Sequence, residues 1–406
     1  MTNSINNKPI NQRIVALDVL RGFAVLGILV MNIQSFAMPF AAYMNPTAFS
    51  DFNGINRLVW ALGHIFSDSK FITLFSLLFG AGVAMFIERA QTNHPDGVLS
   101  LHYRRTLLLL LFGLLHGYLI WFGDILYLYA LCGLWLCFFI NLSPVSLVII
   151  GVLLNTIIIA AGVHQGDMFR AMSPEELTDI VTAWQPTSSQ MAQEISALTG
   201  SLAQIQQVRI AQVEQQHAVA SAYCISATGT MMIGIALYKW GILSAQRSDS
   251  FYRQMIIVGL VVGLPLIGVG IISNFAHQWD IYYSMGTGKM INYAASFAIV
   301  MSYIAIIMLA IKRNWRPNWQ HRLGAVGQMA LTNYIAQSVI ATFIFYGHGL
   351  GYYGQLNRSE QLLIVFAIWA LQLWYSPLWL ARYRFGPLEW LWRSLTYLHP
   401  QPMTKV

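Results

Sequence analysis

His116 and Asp124 are the pair in this chain best suited to moving a proton. They lie in G-L-L-H-G-Y-L-I-W-F-G-D-I-L, the histidine near the end of an apolar run and the carboxylate in the turn after it. A carboxylate beside an imidazole orients the ring and stabilises its cation, the usual construction of a general base. The plainer reading is a histidine bonded to a carbonyl and an aspartate capping the next helix. A second constellation is a stripe. Asp18, Arg21, Val25, Ile28, Asn32 and Ser35 recur at spacings of three and four, so they share one helix face. Arg21 and Asn32 would stand about 16 Å apart along the axis. Asp18 and Arg21 make an i,i+3 ion pair. Asn32 is either a donor aimed at a ligand or a hydrogen bond between helices.

Other polar groups fall where apolar residues dominate. Lys70 opens one run, Asn333 and Gln337 lie within another, and Gln372 and Ser376 within the last. Such groups are costly in a membrane, which makes each a functional candidate. They line a polar cavity on one reading and glue helices together on the other. Near the end, Arg382, Arg384 and Arg393, together with Arg104 and Arg105, would form a patch for an anionic ligand or for lipid head groups. His116 is read as the one histidine deep in an apolar run, which leaves no bis-histidine haem site. No tightly bound cofactor and no metal is expected.

The elements that must position these residues are set by composition. Of 406 residues, 56% are hydrophobic and only 10% charged, against roughly 25% charged in a soluble domain. A water-facing surface of this size cannot be built from so few charges. A soluble enzyme, a secreted scaffold and a disordered chain are excluded, and an all-α polytopic membrane protein is expected. A span needs roughly 20 apolar residues. Ten runs qualify, at 14–38, 71–88, 106–122, 125–141, 145–163, 221–240, 255–275, 291–311, 325–346 and 361–381. The net charge of +7 is read by position and is no nucleic-acid signal. With the N-terminus in the cytoplasm, Lys8 and Arg13 fall inside with most other cations. Only Arg57, Lys70, Arg170, Arg209, Lys289 and Arg358 of the 23 Lys and Arg fall outside. This bias predicts both ends cytoplasmic. The first run is too long for a signal peptide and should stay as an anchor. Cys132, Cys137 and Cys224 are odd in number and lack metal-ligand spacing.

Two outer segments are more than connectors. Ile55, Leu58, Val59, Leu62, Ile65 and Phe66 predict a short interfacial helix. Residues 164–220 are hydrophilic and divide the chain into five-helix bundles at 13–163 and 221–397. Within this insert Ser173-Pro174-Glu175-Glu176 is a helix start. Met191, Ile195, Leu198, Leu202 and Ile205 predict one amphipathic helix, packed on the bundle or forming a lid over an outward-facing site.

Several stretches together resemble one family. They are R-I-V-A-L-D-V-L-R-G-F-A-V-L-G-I-L-V-M-N-I at 13–33, K-F-I-T-L-F-S-L-L-F-G-A-G at 70–82, L-L-H-G-Y-L-I-W-F-G-D-I-L at 114–126, G-Q-M-A-L-T-N-Y-I-A-Q-S at 327–338 and R-F-G-P-L-E-W-L-W-R-S-L-T-Y at 384–397. They resemble the YeiB family of bacterial inner-membrane proteins, a domain of unknown function, over nearly the whole chain. In its first helix that family is similar to transmembrane acyltransferases such as the heparan-glucosaminide acetyltransferases. The resemblance implies acyl transfer from cytosolic acyl-CoA to a glycan or lipid acceptor across the membrane. It carries over Arg21 and Asn32. Eleven residues further on, where that group has a catalytic histidine, this chain has Tyr43, and His116 is taken as the substitute. The expected donor site uses Asp18, Arg21, Arg105, Arg384 and Arg393. The expected surroundings are the lipid bilayer, with a homodimer left open. The alternative is a transporter or a lipid- or small-molecule-binding protein using the same cavity without chemistry.

Overall fold

The computed structural model describes residues 15–49 and 52–405. Lys8 and Arg13, assigned above to the inner side, lie outside them. The described residues form the helices α1 (Val15–Ala37), α2 (Phe40–Met44), α3 (Gly54–Phe66), α4 (Lys70–Asn93), α5 (Val98–Leu119), α6 (Leu126–Leu136), α7 (Pro144–Val163), α8 (Gln165–Ala171), α9 (Pro174–Trp184), α10 (Ser188–Leu198), α11 (Leu202–Ala218), α12 (Ala220–Lys239), α13 (Asp249–Ala276), α14 (Ile281–Tyr283), α15 (Lys289–Lys312), α16 (Pro317–Gln328), α17 (Ala330–Phe345), α18 (Arg358–Arg382) and α19 (Pro387–Tyr397). Among the described residues there is no β-sheet, only an isolated bridge between Tyr383 and Thr404.

Among the described residues, eight segments are long and apolar enough to cross a membrane: Val15–Ala37, Gly54–Asn93, Pro95–Leu119, Pro144–Ala171, Ala220–Lys239, Asp249–Ala276, Ile281–Lys312 and Arg358–Arg382. Two shorter apolar helices, Leu126–Phe139 and Ala330–Phe345, occupy the fourth and ninth runs. The outward faces are apolar. On α5, Leu107, Leu111, Leu115 and Leu119 form an exposed stripe at every fourth residue, and on α13 Ile257, Val258, Val261 and Ile272 are exposed. Continuous apolar faces of this kind require an apolar environment or a partner.

Burial ranks the helices. In α1, 72% of the most apolar stretch is buried, against 17% for Pro144–Ala171 and 22% for Asp249–Ala276 and Arg358–Arg382. The helix carrying the polar stripe is therefore central. Small residues let its neighbours approach. A Cβ on Gly22 would sit 1.9 Å from the Leu323 carbonyl oxygen, and one on Gly327 would sit 1.9 Å from that of Asp18. The α1–α16 crossing thus runs backbone against backbone. The parts of the chain before and after the insert share one interior, since Ala16, Leu17 and Leu20 of α1 cluster with Tyr252, Val300 and Ile304.

The ninth run is interrupted. α16 ends at Gln328, Met329 leaves helical geometry, and α17 restarts at Ala330. Glu389 of α19 reaches into the break and accepts from the Thr332 backbone N–H at 3.0 Å and its hydroxyl at 2.6 Å. A carboxylate there satisfies the free N–H groups of a new helix start, borrowed from a distant element.

In the insert, Ser173 and Glu176 form a capping box at the head of α9, as the local sequence predicts. The single amphipathic helix expected through 191–205 is corrected to two. α10 ends at Leu198, and Ser201 with Gln204 builds a fresh capping box for α11. Ile195 and Leu198 of α10 and Ile205 of α11 pack into the bundle, while Leu202 at the head of α11 is exposed. The 55–66 segment is helical. Its Ile55, Leu58, Leu62 and Phe66 are exposed, while Trp60 turns inward.

Candidate functional site

The end of α5 and the turn into α6 hold a buried polar pair. His116 Nδ1 lies 2.7 Å from Asp124 Oδ2, with the two side chains 1% and 4% exposed. Asp124 Oδ1 accepts from the Tyr127 backbone N–H at 2.7 Å, so the same carboxylate caps α6. The aspartate thus caps the helix as the plainer reading expects, while the ring bonds the carboxylate and not a backbone carbonyl. Burial raises the Asp124 pKa, opposed by the His116 bond and by the Tyr127 and Leu126 N–H groups. With the carboxylate ionised and the ring neutral, the carboxylate only accepts, which puts the ring proton on Nδ1 and the lone pair on Nε2. His116 Nε2 is buried and has no protein partner.

Glycine makes the pair possible. A Cβ on Gly113 would meet the Tyr127 nitrogen at 2.3 Å and Asp124 Oδ1 at 2.7 Å. Around the ring stand Tyr334 and Trp121, at centroid distances of 5.1 and 6.3 Å. Trp121 stacks on Phe36 at 4.0 Å, which ties the dyad to the far end of α1. Asn32 lies one turn before Phe36 on that face and is half-buried. Tyr334 does not stand out in the sequence as its neighbours Asn333 and Gln337 do, because a tyrosine in an apolar run reads as packing. Its hydroxyl bonds the Gly123 carbonyl at 3.3 Å in the loop that carries Asp124.

At the opposite end of α1, Arg21 pairs with Asp18 at 3.0 Å. The Arg105 guanidinium lies between the Phe86 and Trp392 rings, 4.5 and 4.6 Å from their centroids, a cation–π sandwich. Arg21 and Arg393 are near enough to repel it. Three guanidiniums therefore converge there. Arg384 is exposed, and its backbone N–H bonds the Met403 carbonyl.

Asn333 and Gln337 are taken up by helix contacts. Gln337 Nε2 donates to the Val25 carbonyl at 3.0 Å and to Gln372 Oε1 at 2.9 Å. Asn333 Nδ2 donates to the Val326 carbonyl at 3.1 Å and to Ser376 Oγ at 3.2 Å, and Asn333 Oδ1 accepts from Tyr375. Lys70 is fully buried, and its ammonium donates to the His64 carbonyl at 2.8 Å and to Asn292 Oδ1. His64 Nδ1 lies 2.9 Å from Asp68 Oδ2, which also accepts from Asn292 Nδ2 at 3.0 Å. Tyr43 senses the Asp68 charge, and burial raises its pKa. Sequence reasoning missed this second histidine–carboxylate pair. The signal that could have found it is His64 and Asp68 at i,i+4 just before Lys70.

The expectation for histidine is corrected. His116 is not alone inside the apolar bundle, for His102 of α5 is also buried, with Nε2 2.8 Å from the Gly133 carbonyl. It lies on the same helix as His116, about 21 Å away along the axis, so the two do not face each other. Among the described residues no cluster of His, Cys, Asp and Glu could hold a metal ion.

Comparison with known proteins gives the family. A family profile described as a protein of unknown function (DUF418) matches residues 237–399. The uncharacterized protein YeiB of Escherichia coli (strain K12) is 33% identical over 398 residues, 95% of this chain and 96% of that protein. The uncharacterized protein YxaH of Bacillus subtilis (strain 168) is 33% identical over 416 residues, 97% of each chain. No solved structure matches the chain. At this identity over nearly the full length, the chain belongs to the YeiB (DUF418) family.

Proposed function

We propose that this member of the YeiB family is a multi-pass protein of the bacterial inner membrane. On this reading it crosses ten times, with both ends in the cytoplasm, and moves an acyl group from cytosolic acyl-CoA to an outer hydroxyl or amine on a glycan or lipid. The observation that carries the chemistry is the buried His116–Asp124 pair, whose Nε2 has no partner. In the reaction His116 Nε2 takes the acceptor proton as the acceptor oxygen or nitrogen attacks the thioester carbonyl. Asn32 donates to the developing oxyanion. Collapse breaks the carbon–sulfur bond and releases the CoA thiolate, which recovers a proton. Arg21, Arg105 and Arg393 hold the donor's phosphates at the other end of α1.

The test is transfer of labelled acyl groups from acyl-CoA to acceptors in proteoliposomes. His116→Gln keeps a hydrogen-bonding side chain but cannot cycle a proton at neutral pH. It should leave the protein folded and lower transfer by about 100-fold to 10,000-fold. Unchanged transfer would remove His116 from the mechanism.

A second reading is favoured by the interruptions at Met329 and at Gly286, where the backbone leaves helical geometry. Broken helices near a central site are a feature of secondary transporters. The same interior would then carry a cargo without bond chemistry. Native mass spectrometry of the purified protein separates the two. A co-purified CoA thioester supports transfer, and an unreactive solute whose passage survives His116→Gln supports transport.

A further inference from the structure

We propose that the cleft between α5 and α11 binds the anionic head, phosphate or carboxylate, of an amphiphilic molecule through Arg209. The cleft has a volume of about 530 Å³ and is lined by Leu119, Leu202, Ala203, Gln206, Arg209 and His348. It lies at the end of the bundle that carries the insert. The inference is independent of the acyl-transfer reading, which does not use Arg209.

Arg209 is 7% exposed, an unusual state for a guanidinium. Its Nη1 donates to the Leu119 carbonyl at 2.8 Å and to Gln206 Oε1 at 2.7 Å. Gln206 Nε2 in turn donates to the Tyr118 carbonyl at 2.8 Å. These bonds cap the C-terminus of α5 and hold the guanidinium in place. They do not neutralise it. Arg209 Nε is buried and has no acceptor, and among the described residues no carboxylate forms an ion pair with it. Buried charges are normally paired, because desolvation is costly unless an opposite charge returns it. Burial also lowers the Arg209 pKa, so an anion placed beside the guanidinium would stabilise its charge.

The rest of the cleft specifies the ligand. Leu119 and Leu202 on its rim are 61% and 68% exposed. His348 is close enough to feel the Arg209 charge and supplies a second polar contact. A cation in the wall, a second donor beside it and an apolar rim match an oxyanion carried on an aliphatic body. A guanidinium also suits phosphate and carboxylate geometry better than a point charge does.

The test is binding to the full-length protein in neutral detergent. The probes are dioctanoyl phosphatidic acid, dioctanoyl phosphatidylcholine, octanoate and inorganic phosphate. Arg209→Gln removes the charge but also the cap on α5, so a second variant is needed. Leu202→Glu puts a carboxylate on an exposed rim position without displacing packed atoms. Phosphatidic acid should bind the wild type and bind each variant roughly tenfold more weakly, the scale of one charge-assisted contact. Phosphatidylcholine, whose phosphate is screened by choline, should bind weakly throughout. Octanoate binding with the same Arg209 dependence would support the site and assign it to a carboxylate amphiphile, and inorganic phosphate binding as tightly as phosphatidic acid would overturn the amphiphilic part of the proposal. Phosphatidic acid binding equally to the wild type and Leu202→Glu would overturn the proposal and direct the anion to the guanidiniums at the other end of α1. Equal binding of the two phospholipids would overturn it as well.

Discussion

Replacing Asp124 by Asn changes one heavy atom and reverses the direction of one hydrogen bond. In the wild type Oδ2 accepts the proton of His116 Nδ1 at 2.7 Å while Oδ1 accepts from the Tyr127 N–H at 2.7 Å. An asparagine keeps its oxygen on the Tyr127 N–H, because that helix start needs an acceptor. Its amide nitrogen then faces Nδ1 and can only donate. The imidazole must turn Nδ1 into an acceptor, and its proton moves to Nε2. The lone pair that would take the acceptor proton is lost although every contact survives. Acyl transfer should fall by roughly 100-fold to 10,000-fold, the upper end being the size of the same substitution in a serine-protease triad. Stability should change by only about 1 kcal/mol, one hydrogen bond exchanged for another. Asp124→Ala differs, because it removes the cap and leaves the Nδ1–H without an acceptor, costing roughly 2–4 kcal/mol. The assay pairs initial transfer rates in proteoliposomes with melting temperatures in detergent. If Asp124→Asn transfers at the wild-type rate, or if rates across both variants only track the folded fraction, the pair is a structural cap and the proton-transfer argument fails.

Gly22→Val should disrupt the α1–α16 crossing, since the new Cβ would lie 1.9 Å from a backbone oxygen that cannot rotate away. Overpacking of this kind costs about 1–3 kcal/mol, and Gly82→Ala, which meets open space, serves as the neutral control in thermal melts. Glu194 of the insert accepts from Tyr353 Oη at 2.7 Å and from the Phe40 N–H at 3.1 Å, and burial raises its pKa. Its stabilising contribution is complete below the ordinary glutamate range and is lost as pH rises through the raised folded value. Glu194→Gln keeps an acceptor without the charge, so its melting temperature should fall less than the wild type's between about pH 5 and about pH 8. A steeper fall in the variant would refute this. For the proposed topology, a reporter active only outside the cytoplasm should work when fused within 175–215 and fail at 245–250, and the reverse pattern would overturn the ten-span proposal.

What could be read from the sequence is what local rules encode. Ten apolar runs appear because a span is one continuous stretch, and they fall on the eight long and two shorter apolar helices. The start of α9 is legible because a capping box occupies four successive residues. His116 and Asp124 are visible as a pair because one short turn separates them, so chain connectivity alone keeps them close. The family is legible because its motifs are spread along the whole chain. What lay beyond the sequence depends on which distant faces meet. Nothing in the periodicity of α5 says that Trp392 will cover Arg105, or that Arg393 rather than Arg384 will stand beside it. The split of the insert at Ser201 was hidden because Leu198 and Ile205 are buried on either side of it and the exposed Leu202 happens to continue their spacing. The restart at Ala330 needs a carboxylate from α19, and Lys70 with Asp68 needs Asn292 from α15. Such contacts depend on close approaches like Gly22 against Leu323. A glycine in an apolar run does not reveal its partner. Tertiary packing, where each buried polar group must find an acceptor or donor from another element, decided those positions.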